Sequence, residues 1–260
     1  MKTQFTLFLS IVVVCVALCP PAASADSSKA SVTPAASAEA QLAQASRLWQ
    51  QMERAPAPQK MDLLAQTLAN LAIVRRQWPN DKRAVARSGI MLADLSAEFG
   101  ALPKAINGLL EALPAASNTD LEPGVELRLG KAYEQQGNVT EAEKHFLRAE
   151  TTMRASHLNR VESHGVLNNT GLFYSRQNKP SEAIRRFHEA QELPGLSVAI
   201  KVSLQLSAVK EAAKLGKDDS TQEFAKFDAL IVEAQHTNLS HGEASAIDDM
   251  QKDAKRVRGR

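Results

Sequence analysis

Apolar residues recur along most of this chain at steps of three and four, which is the period of an amphipathic α-helix. The stretch LGKAYEQQGNVTEAEKHFLRAE, which spans Leu129–Glu150, contains two such segments on either side of Gly137. On the second segment, Ala142, Phe146 and Ala149 follow one another at steps of four and three and therefore share a face. The pattern predicts two helices that turn back on each other, which is a helical hairpin.

The landmark residues of this hairpin occur again at constant offsets. A shift of 41 residues leaves five of the six landmarks unchanged, and the sixth replaces glycine with asparagine, which also tolerates a left-handed backbone. A shift of 37 residues in the other direction retains the turn glycine, two small residues and an apolar replacement. The three sets are Gly130, Tyr133, Gly137, Ala142, Phe146 and Ala149; Gly171, Tyr174, Asn178, Ala183, Phe187 and Ala190; and Ala93, Ser96, Gly100, Ala105, Leu109 and Ala112. The hairpin is therefore the unit of a repeat.

The residues at the turn of each unit explain how the hairpin forms. Gly137 suits the left-handed conformation that ends many helices, and Asn138 with Glu141 three residues later can cap the next helix. In the following copy, Pro180 occupies a first-turn position, where proline is tolerated. A single hairpin cannot cover its own apolar face, so neighbouring units are expected to stack.

The flanking segments show the same periodicity and predict further helices. One pair is expected over 39–54 and 61–78, and another over 198–215 and 222–232 around a turn at 216–219. Ser240 with Glu243 forms a capping box, and the apolar positions after it predict a last amphipathic helix that closes the stack. The expected fold is all-α, with about five hairpins and one capping helix over residues 39–239 and 240–260.

The order Leu-Gly, Tyr, Ala, Phe and Ala in these units resembles the tetratricopeptide repeat (TPR). The resemblance is specific for 129–150, nearly as close for 171–191 and weaker for 92–112, and the spacing of 41 exceeds the usual period of about 34 residues. It implies a right-handed superhelical solenoid of stacked antiparallel hairpins. In that family, the first helices of the units line a concave groove that binds a peptide or helix of another protein.

The same resemblance indicates which residues face the groove. The first of each pair of helices contributes wall positions whose side chains are polar and mostly basic, with two amides. Such a wall suits a partner segment that carries carboxylates. Asn169 matches the asparagine of the carboxylate clamp of chaperone-binding TPR domains, whereas Met91 and Asp94 depart from its other residues. The expected groove residues are Leu127, Arg128, Lys131 and Glu134, then Asn168, Asn169, Leu172 and Arg176, then Lys210 and Lys214.

The N-terminal segment predicts export. Lys2 precedes the apolar run Phe5–Leu18, and small residues at 23–25 offer a signal-peptidase site after residue 25. Residues 26–38 are small and polar and predict a flexible linker. Two alternatives remain, a retained membrane anchor and a lipoprotein modified at Cys19. The expected location is the periplasm or the outside of a bacterial cell.

The composition and motifs of the chain limit the kinds of binding and catalysis that it can be expected to perform. The formal charge is only +2, which gives no indication of nucleic-acid binding. Both cysteines, Cys15 and Cys19, lie in the predicted signal peptide, so the mature chain would have no thiol for disulfides, metal binding or catalysis. The six histidines lack the spacings of metal sites, and no motif of serine catalysis or phosphate binding occurs. We expect no cofactor, no metal and no enzymatic activity, with an active site that leaves no local motif as the remote alternative.

The basic C-terminal end, with Lys252, Lys255, Arg256, Arg258 and Arg260, is suited to complement the dipole of the last helix or to contact an anionic surface. Taken together, these features predict an exported scaffold or assembly factor of the bacterial cell envelope that binds another protein in its groove. The alternative is a solenoid that self-associates through an end hairpin as a homo-oligomer.

Overall fold

A computed structural model describes residues 32–156 and 160–259. Over these residues the chain forms eleven α-helices and no strand. Residues Pro34–Arg260 constitute one compact unit. The predicted signal peptide, the lipid-anchor alternative at Cys19 and the first part of the predicted linker lie outside the described residues. None of the described helices is both long enough and apolar enough to cross a membrane.

The helices follow one another with short connections. Their bounds are α1 Ala38–Arg54, α2 Ala57–Gln77, α3 Lys82–Glu98, α4 Leu102–Ala116, α5 Glu122–Gln135, α6 Val139–Ala155, α7 Arg160–Arg176, α8 Pro180–Gln191, α9 Val198–Leu215, α10 Lys217–Gln235 and α11 His241–Arg258. Consecutive helices pair as the hairpins α1–α2, α3–α4, α5–α6, α7–α8 and α9–α10, and each hairpin packs on the next. Helix α11 packs on α9 and closes the C-terminal end. The predicted all-α solenoid of stacked hairpins is confirmed.

Capping residues and left-handed turns define the hairpins locally. Side chains of Ser37, Asp81, Asn138, Ser197 and Ser240 each accept a hydrogen bond from a backbone N–H in the first turn of the following helix. The turns inside three hairpins have positive φ, at Gly100 (71°), Gly137 (84°) and Asn178 (54°). Asparagine therefore takes the place of glycine with the same backbone conformation, as the repeat predicts.

The core follows the repeat landmarks. Ala142, Phe146 and Ala149 of α6 and Ala183, Phe187 and Ala190 of α8 are all buried in one cluster with Phe173 of α7. The rings of Phe146 and Phe173 lie 4.7 Å apart, so aromatic side chains join two successive hairpins.

The expected turn over 216–219 is wrong. Gly216 alone joins the two helices, because α9 ends at Leu215 and α10 begins at Lys217. Asp218 and Asp219 lie in the first turn of α10, where carboxylates interact favourably with the positive end of the helix dipole. Helix α10 is accordingly longer than the segment predicted for it.

Candidate binding groove

The first helices of three successive hairpins, α3, α5 and α7, surround a cavity of about 450 Å³. Its lining combines apolar and charged side chains. The apolar residues are Ile90, Met91, Leu121, Leu127 and Val166, the charged ones are Arg87, Asp120 and Arg128, and Gly124 and Gly165 complete the lining. The cavity therefore lies on the helices that the resemblance assigns to the groove, and it includes two predicted groove residues, Leu127 and Arg128.

Glycine at two helical positions keeps this cavity open. A Cβ added at Gly165 would meet no atom within 4 Å, and one added at Gly124 would meet only the Arg128 side chain, at 3.5 Å. Glycine is unfavourable inside a helix by roughly 1 kcal/mol relative to alanine, and nothing in the packing requires it at 165. The bare backbone of α7 is thus accessible from the groove.

Arg128 is held by the chain itself. Its Nε lies 2.9 Å from Oδ1 and 3.2 Å from Oδ2 of Asp94 on α3, and its Nη1 donates to the carbonyl of Gly124 at 3.2 Å. The side chain is about one third exposed. Arg128 therefore joins α5 to α3 and presents only part of its guanidinium to the groove.

Arg176 makes the corresponding contact one repeat later. Its Nε and Nη2 donate to the two carboxylate oxygens of Glu134 at 2.7 Å each, so that α7 is joined to α5 by a bidentate pair. The hydrogen bonds to Glu134 raise the pKa of Arg176 above its usual value. Both members of this pair are predicted groove residues.

The same arrangement continues at both ends of the wall. Arg87 of α3 pairs with Glu39 of α1, and Lys210 of α9 pairs with Asp253 of α11 at 3.0 Å. Together with Arg128–Asp94 and Arg176–Glu134, these contacts form what we call the ion-pair ladder of the wall. Three of the predicted groove cations, Arg128, Arg176 and Lys210, are thus paired with carboxylates of a neighbouring helix.

Lys131 differs from these three cations. It is exposed on α5, and within the described residues it belongs to no ion pair. It is influenced by the charges of both neighbouring pairs, Arg128–Asp94 and Arg176–Glu134. Although the residue is exposed, nearby protein atoms remove part of the water around its ammonium, and this, followed by the positive charge of Arg128, lowers its pKa below the usual value. Lys131 is therefore the wall cation that can take a carboxylate from outside.

The predicted residues of α7 take different roles. Asn169 donates from Nδ2 to the Gly165 carbonyl at 2.6 Å, which satisfies part of its amide within its own helix. Asn168 is half-buried, and its side chain has no hydrogen-bond partner among the described residues. Leu172 packs on the buried core between α6, α7 and α8. Asn168 therefore has more free hydrogen-bonding capacity than Asn169 within the described residues.

Lys210 and Lys214 lie at a second cavity, between α9 and the capping helix. This cavity measures about 630 Å³ and includes Glu211, Asp253 and Arg256. Lys214 is 2.7 Å from Glu211, so both lysines are paired there. The structure does not place these two residues at the cavity of α3, α5 and α7.

Two of the histidines, His145 and His188, make contacts between helices. His145 of α6 is buried, with Nδ1 2.6 Å from Oε2 of Glu126 on α5, and its ring stacks on Tyr133 at 5.3 Å. His188 of α8 has Nε2 2.8 Å from Oε2 of Glu223 on α10. In the part of the chain that the structure describes, no three residues among His, Cys, Asp and Glu are grouped to hold a metal ion.

Sequence reasoning missed several residues of the cavity: Arg87, Ile90, Asp120, Leu121, Gly124, Gly165 and Val166. The available signal was a pair of glycines on consecutive first helices, Gly124 and Gly165, also 41 residues apart. The landmarks of the hairpin follow the buried face of each unit, and these two glycines lie on the opposite, groove-facing side.

Comparison with solved structures supports the fold. BtubC (BKLC) from P. vanneervenii matches with 16% identity, 79% of this chain and 95% of that chain covered, and a TM-score of 0.51. A putative kinesin light chain from Podosopora anserina, described by its nearly identical TPR-like repeats, matches with 13% identity, coverage of 78% and 100%, and a TM-score of 0.59. A single-residue variant of that protein matches with 14% identity, coverage of 76% and 96%, and a TM-score of 0.56.

At these identities the likeness establishes the fold, which is that of TPR-like repeat proteins. No protein-family model and no curated protein matches the chain. The resemblance noted in the repeat landmarks is thus confirmed at the level of structure.

Proposed function

We propose that this chain is a non-enzymatic scaffold of the bacterial cell envelope, which binds a segment of another protein in the groove formed by α3, α5 and α7. The TPR-like fold indicates protein interaction in general. The cavity between α3, α5 and α7, with Lys131 one turn beyond its lining residue Leu127, is the observation that supports a peptide or helix as the bound element. A volume of about 450 Å³ lies within the range of roughly 300–1,000 Å³ that is typical of ligand pockets. It can accommodate one large apolar side chain.

The charges around the cavity favour an acidic partner segment. The charged lining residues Arg87, Arg128 and Asp120 are each paired with a residue of this chain. The ammonium of Lys131, one turn beyond Leu127 and Arg128 on the same helix, has no carboxylate partner among the described residues. A segment with a bulky apolar residue and a nearby Asp or Glu would therefore fill the cavity and neutralise Lys131.

The ion-pair ladder supports this proposal in a second way. Pairs between successive first helices, such as Arg128–Asp94 and Arg176–Glu134, fix the relative positions of α3, α5 and α7 before a partner arrives. A groove that is already ordered loses less conformational entropy on binding than a flexible one. The paired cations Arg128 and Arg176 thus stabilise the arrangement of the groove helices, and Lys131 remains available to contact the partner.

The test fills the cavity without disturbing the fold. A random-sequence peptide library displayed on phage is selected on the purified protein, and the affinity of a selected peptide is measured by fluorescence polarisation. Gly165→Leu should weaken binding by about tenfold or more, equivalent to about 1.4 kcal/mol. The same change should leave the free energy of unfolding unchanged or raise it, because position 165 has room for a side chain and glycine disfavours helix.

The matched control is Gly242→Leu. Gly242 is also a helical glycine with no atom within 4 Å of an added Cβ, but it lies in the first turn of the capping helix α11. This variant should bind the peptide as the original protein does. Equal affinity of the Gly165→Leu variant and the control would rule out the cavity as the binding site.

The role of Lys131 is tested by Lys131→Glu. The selected peptides should be enriched in Asp and Glu beside an apolar residue, and this variant should bind them more weakly, with a smaller dependence on salt. Lys131 is a cleaner target than Arg176, because replacing Arg176 would also remove its bidentate pair with Glu134. Selected peptides without acidic residues would contradict this part of the proposal.

Export to the cell envelope is supported by the N-terminal sequence described above. Expression of the whole chain in a bacterium, followed by intact mass spectrometry, should yield a protein that begins at residue 26. A lipid-modified protein that begins at Cys19 would indicate the lipoprotein alternative, and an unprocessed chain would contradict cleavage.

A further inference from the structure

The surface of helix α2 is unusual for the first hairpin of a solenoid, because it is apolar on two sides. One side is buried against α1 and α3 through Leu71 and Val74. On the other side, Met61, Ala65, Leu68 and Ala72 are all exposed, with Met61 at 42% and Leu68 at 38%. We call these four residues the α2 seam.

The spacing of the α2 seam is that of a helix-packing surface. Its residues follow at steps of four, three and four, so they lie in one row along the helix, as in the contact line of a coiled coil. An apolar stripe on a helix normally faces a packing partner, and the end of a repeat stack normally has a polar outer face. The C-terminal end meets this requirement through α11, whereas α2 exposes the apolar row of the α2 seam.

Charged residues flank the α2 seam in a symmetric way. Asp62, Ala69 and Arg76 form a row beside it at intervals of seven residues, with opposite charges at its two ends and a small residue midway. Asp62 and Arg76 are both exposed, and neither has an ion pair or a side-chain hydrogen bond among the described residues. A surface with this arrangement is complementary to itself.

We propose that two copies of this chain associate through the α2 seam, as an antiparallel pair of α2 helices related by a two-fold axis at Ala69. Such an axis brings Asp62 of each copy next to Arg76 of the other, and Leu68 within one turn of Ala72 of the other. Every contact away from the axis then occurs twice, as a closed isologous dimer requires. The small side chain of Ala69 allows the two helices to approach closely at the axis.

The size of the surface determines the strength of the dimer. Helix α2 has 21 residues and is therefore about 31 Å long. One helix pair of this length buries less than the roughly 1,200–2,000 Å² of a stable complex, so the dimer belongs to the weak class. We expect a monomer–dimer equilibrium that depends on protein concentration in the micromolar range. Sedimentation velocity and light scattering measure it directly.

A charge exchange provides the decisive test. Asp62→Arg alone places two cations together at each end of the contact, and Arg76→Asp alone places two anions there, so each variant should be monomeric by itself. A mixture of the two single variants should form heterodimers, because every like-charge contact then becomes an opposite-charge contact. The double variant Asp62→Arg/Arg76→Asp should dimerise like the original protein.

The apolar part of the contact is tested by Leu68→Glu, which should abolish the dimer. The matched control is Leu147→Glu, since Leu147 is exposed to 40% on the second helix of another hairpin and lies outside the α2 seam. All these positions are exposed, so circular dichroism and thermal unfolding should be unchanged. The proposal is overturned by a monomeric original protein throughout this concentration range, by no association in the mixture, or by equal effects of Leu68→Glu and Leu147→Glu.

Discussion

Gly171 of α7 lies directly against the ring of Phe187 on α8, so close that a Cβ at Gly171 would be 2.6 Å from Cε1 of the ring. The same relationship joins Gly130 and Phe146 in the preceding hairpin, where the distance would be 3.0 Å. Both phenylalanines are almost fully buried and cannot move aside. The repeated glycine is thus required by the close approach of two helices, rather than by a turn.

Gly171→Ala is predicted to destabilise the chain. Overpacking a well-packed core costs about 1–3 kcal/mol, which exceeds the gain of roughly 1 kcal/mol from replacing a helical glycine. Gly130→Ala should be milder, because its closest contact is longer. Urea unfolding followed by circular dichroism measures both free energies. Gly165→Ala is the control, since that position is open, and it should be neutral or stabilising. A Gly171→Ala variant as stable as this control would contradict the explanation.

The buried ion pair Arg186–Glu150 is predicted to be sensitive to loss of one partner. The Nε of Arg186 lies 3.1 Å from Oε1 of Glu150 with both side chains about 5% exposed or less, and the guanidinium stacks 4.6 Å from the ring centre of Tyr174. Arg186 also pairs with Glu182, whose side chain is about half exposed, so Glu150→Ala would leave the guanidinium with this partner alone. The loss should be about 1.5–3 kcal/mol, the usual contribution of a hydrogen bond to a charged group. Replacing both members of the pair, as Glu150→Leu with Arg186→Met, should lower the free energy of unfolding much less, because no buried charge remains.

An exposed pair serves as the control for that experiment. Lys252 and Asp249 are 2.8 Å apart on α11 with both side chains mostly exposed, so Asp249→Ala should change the free energy of unfolding much less than Glu150→Ala does. Similar losses for Glu150→Ala and Asp249→Ala would show that burial of the Arg186–Glu150 pair has no energetic consequence. Chemical unfolding of the three variants and the original protein provides the comparison.

Glu223 is predicted to make stability depend on pH in the acid range. Burial between α9 and α8 would raise its pKa, but hydrogen bonds from Lys226, His188 and Gln205 outweigh burial and lower the pKa below the usual 4.5. Because the folded-state pKa is the lower one, the carboxylate stabilises the fold above about pH 4.5. That contribution is lost as the pH falls through the folded-state pKa.

The measurement is urea unfolding of Glu223→Gln at neutral pH and near pH 3. At neutral pH the variant should lose about 1.5–3 kcal/mol, the usual contribution of a hydrogen bond to a charged group. As the pH falls through the folded-state pKa of Glu223, the difference from the original protein should shrink, since Glu223 then binds a proton and, like glutamine, carries no charge. Glu192→Gln, at an exposed position, should show neither effect. A difference that stays constant with pH would contradict the lowered pKa of Glu223.

Asn178 is predicted to be replaceable by glycine but not by alanine. Its φ of 54° lies in the left-handed region, where most side chains cost roughly 1–2 kcal/mol. Asn178→Ala should therefore lower the melting temperature, whereas Asn178→Gly should leave it nearly unchanged. Calorimetry of the two variants checks this prediction, and a lower melting temperature for the glycine variant than for the alanine variant would refute it.

The sequence by itself determined the helices and the repeat. These features depend on residues only a few positions apart, so they can be predicted from the order of residues along the chain. Examples are the helix cap at Asn138, the left-handed turns at Gly137 and Asn178, and the apolar stripe Ala142–Phe146–Ala149. Because each hairpin must bury its apolar face on the next, stacking followed as well. The copy over 92–112 differs in one detail. There the glycine that lies against the second helix is Gly89, which faces Ala112, whereas the landmark position that holds glycine in the other copies is Ala93.

Only the tertiary structure decided what the groove contains. Whether Arg128 and Arg176 are free or paired depends on Asp94 and Glu134, which are 34 and 42 residues away and reach them only after the hairpins have stacked. The cavity beside Gly165 and the exposed α2 seam likewise depend on tertiary packing, because packing determines which helix faces are covered and which stay exposed. Local periodicity specifies which side of a helix is apolar, but the distances between helices arise from packing, and those distances select the residues that remain available to a partner.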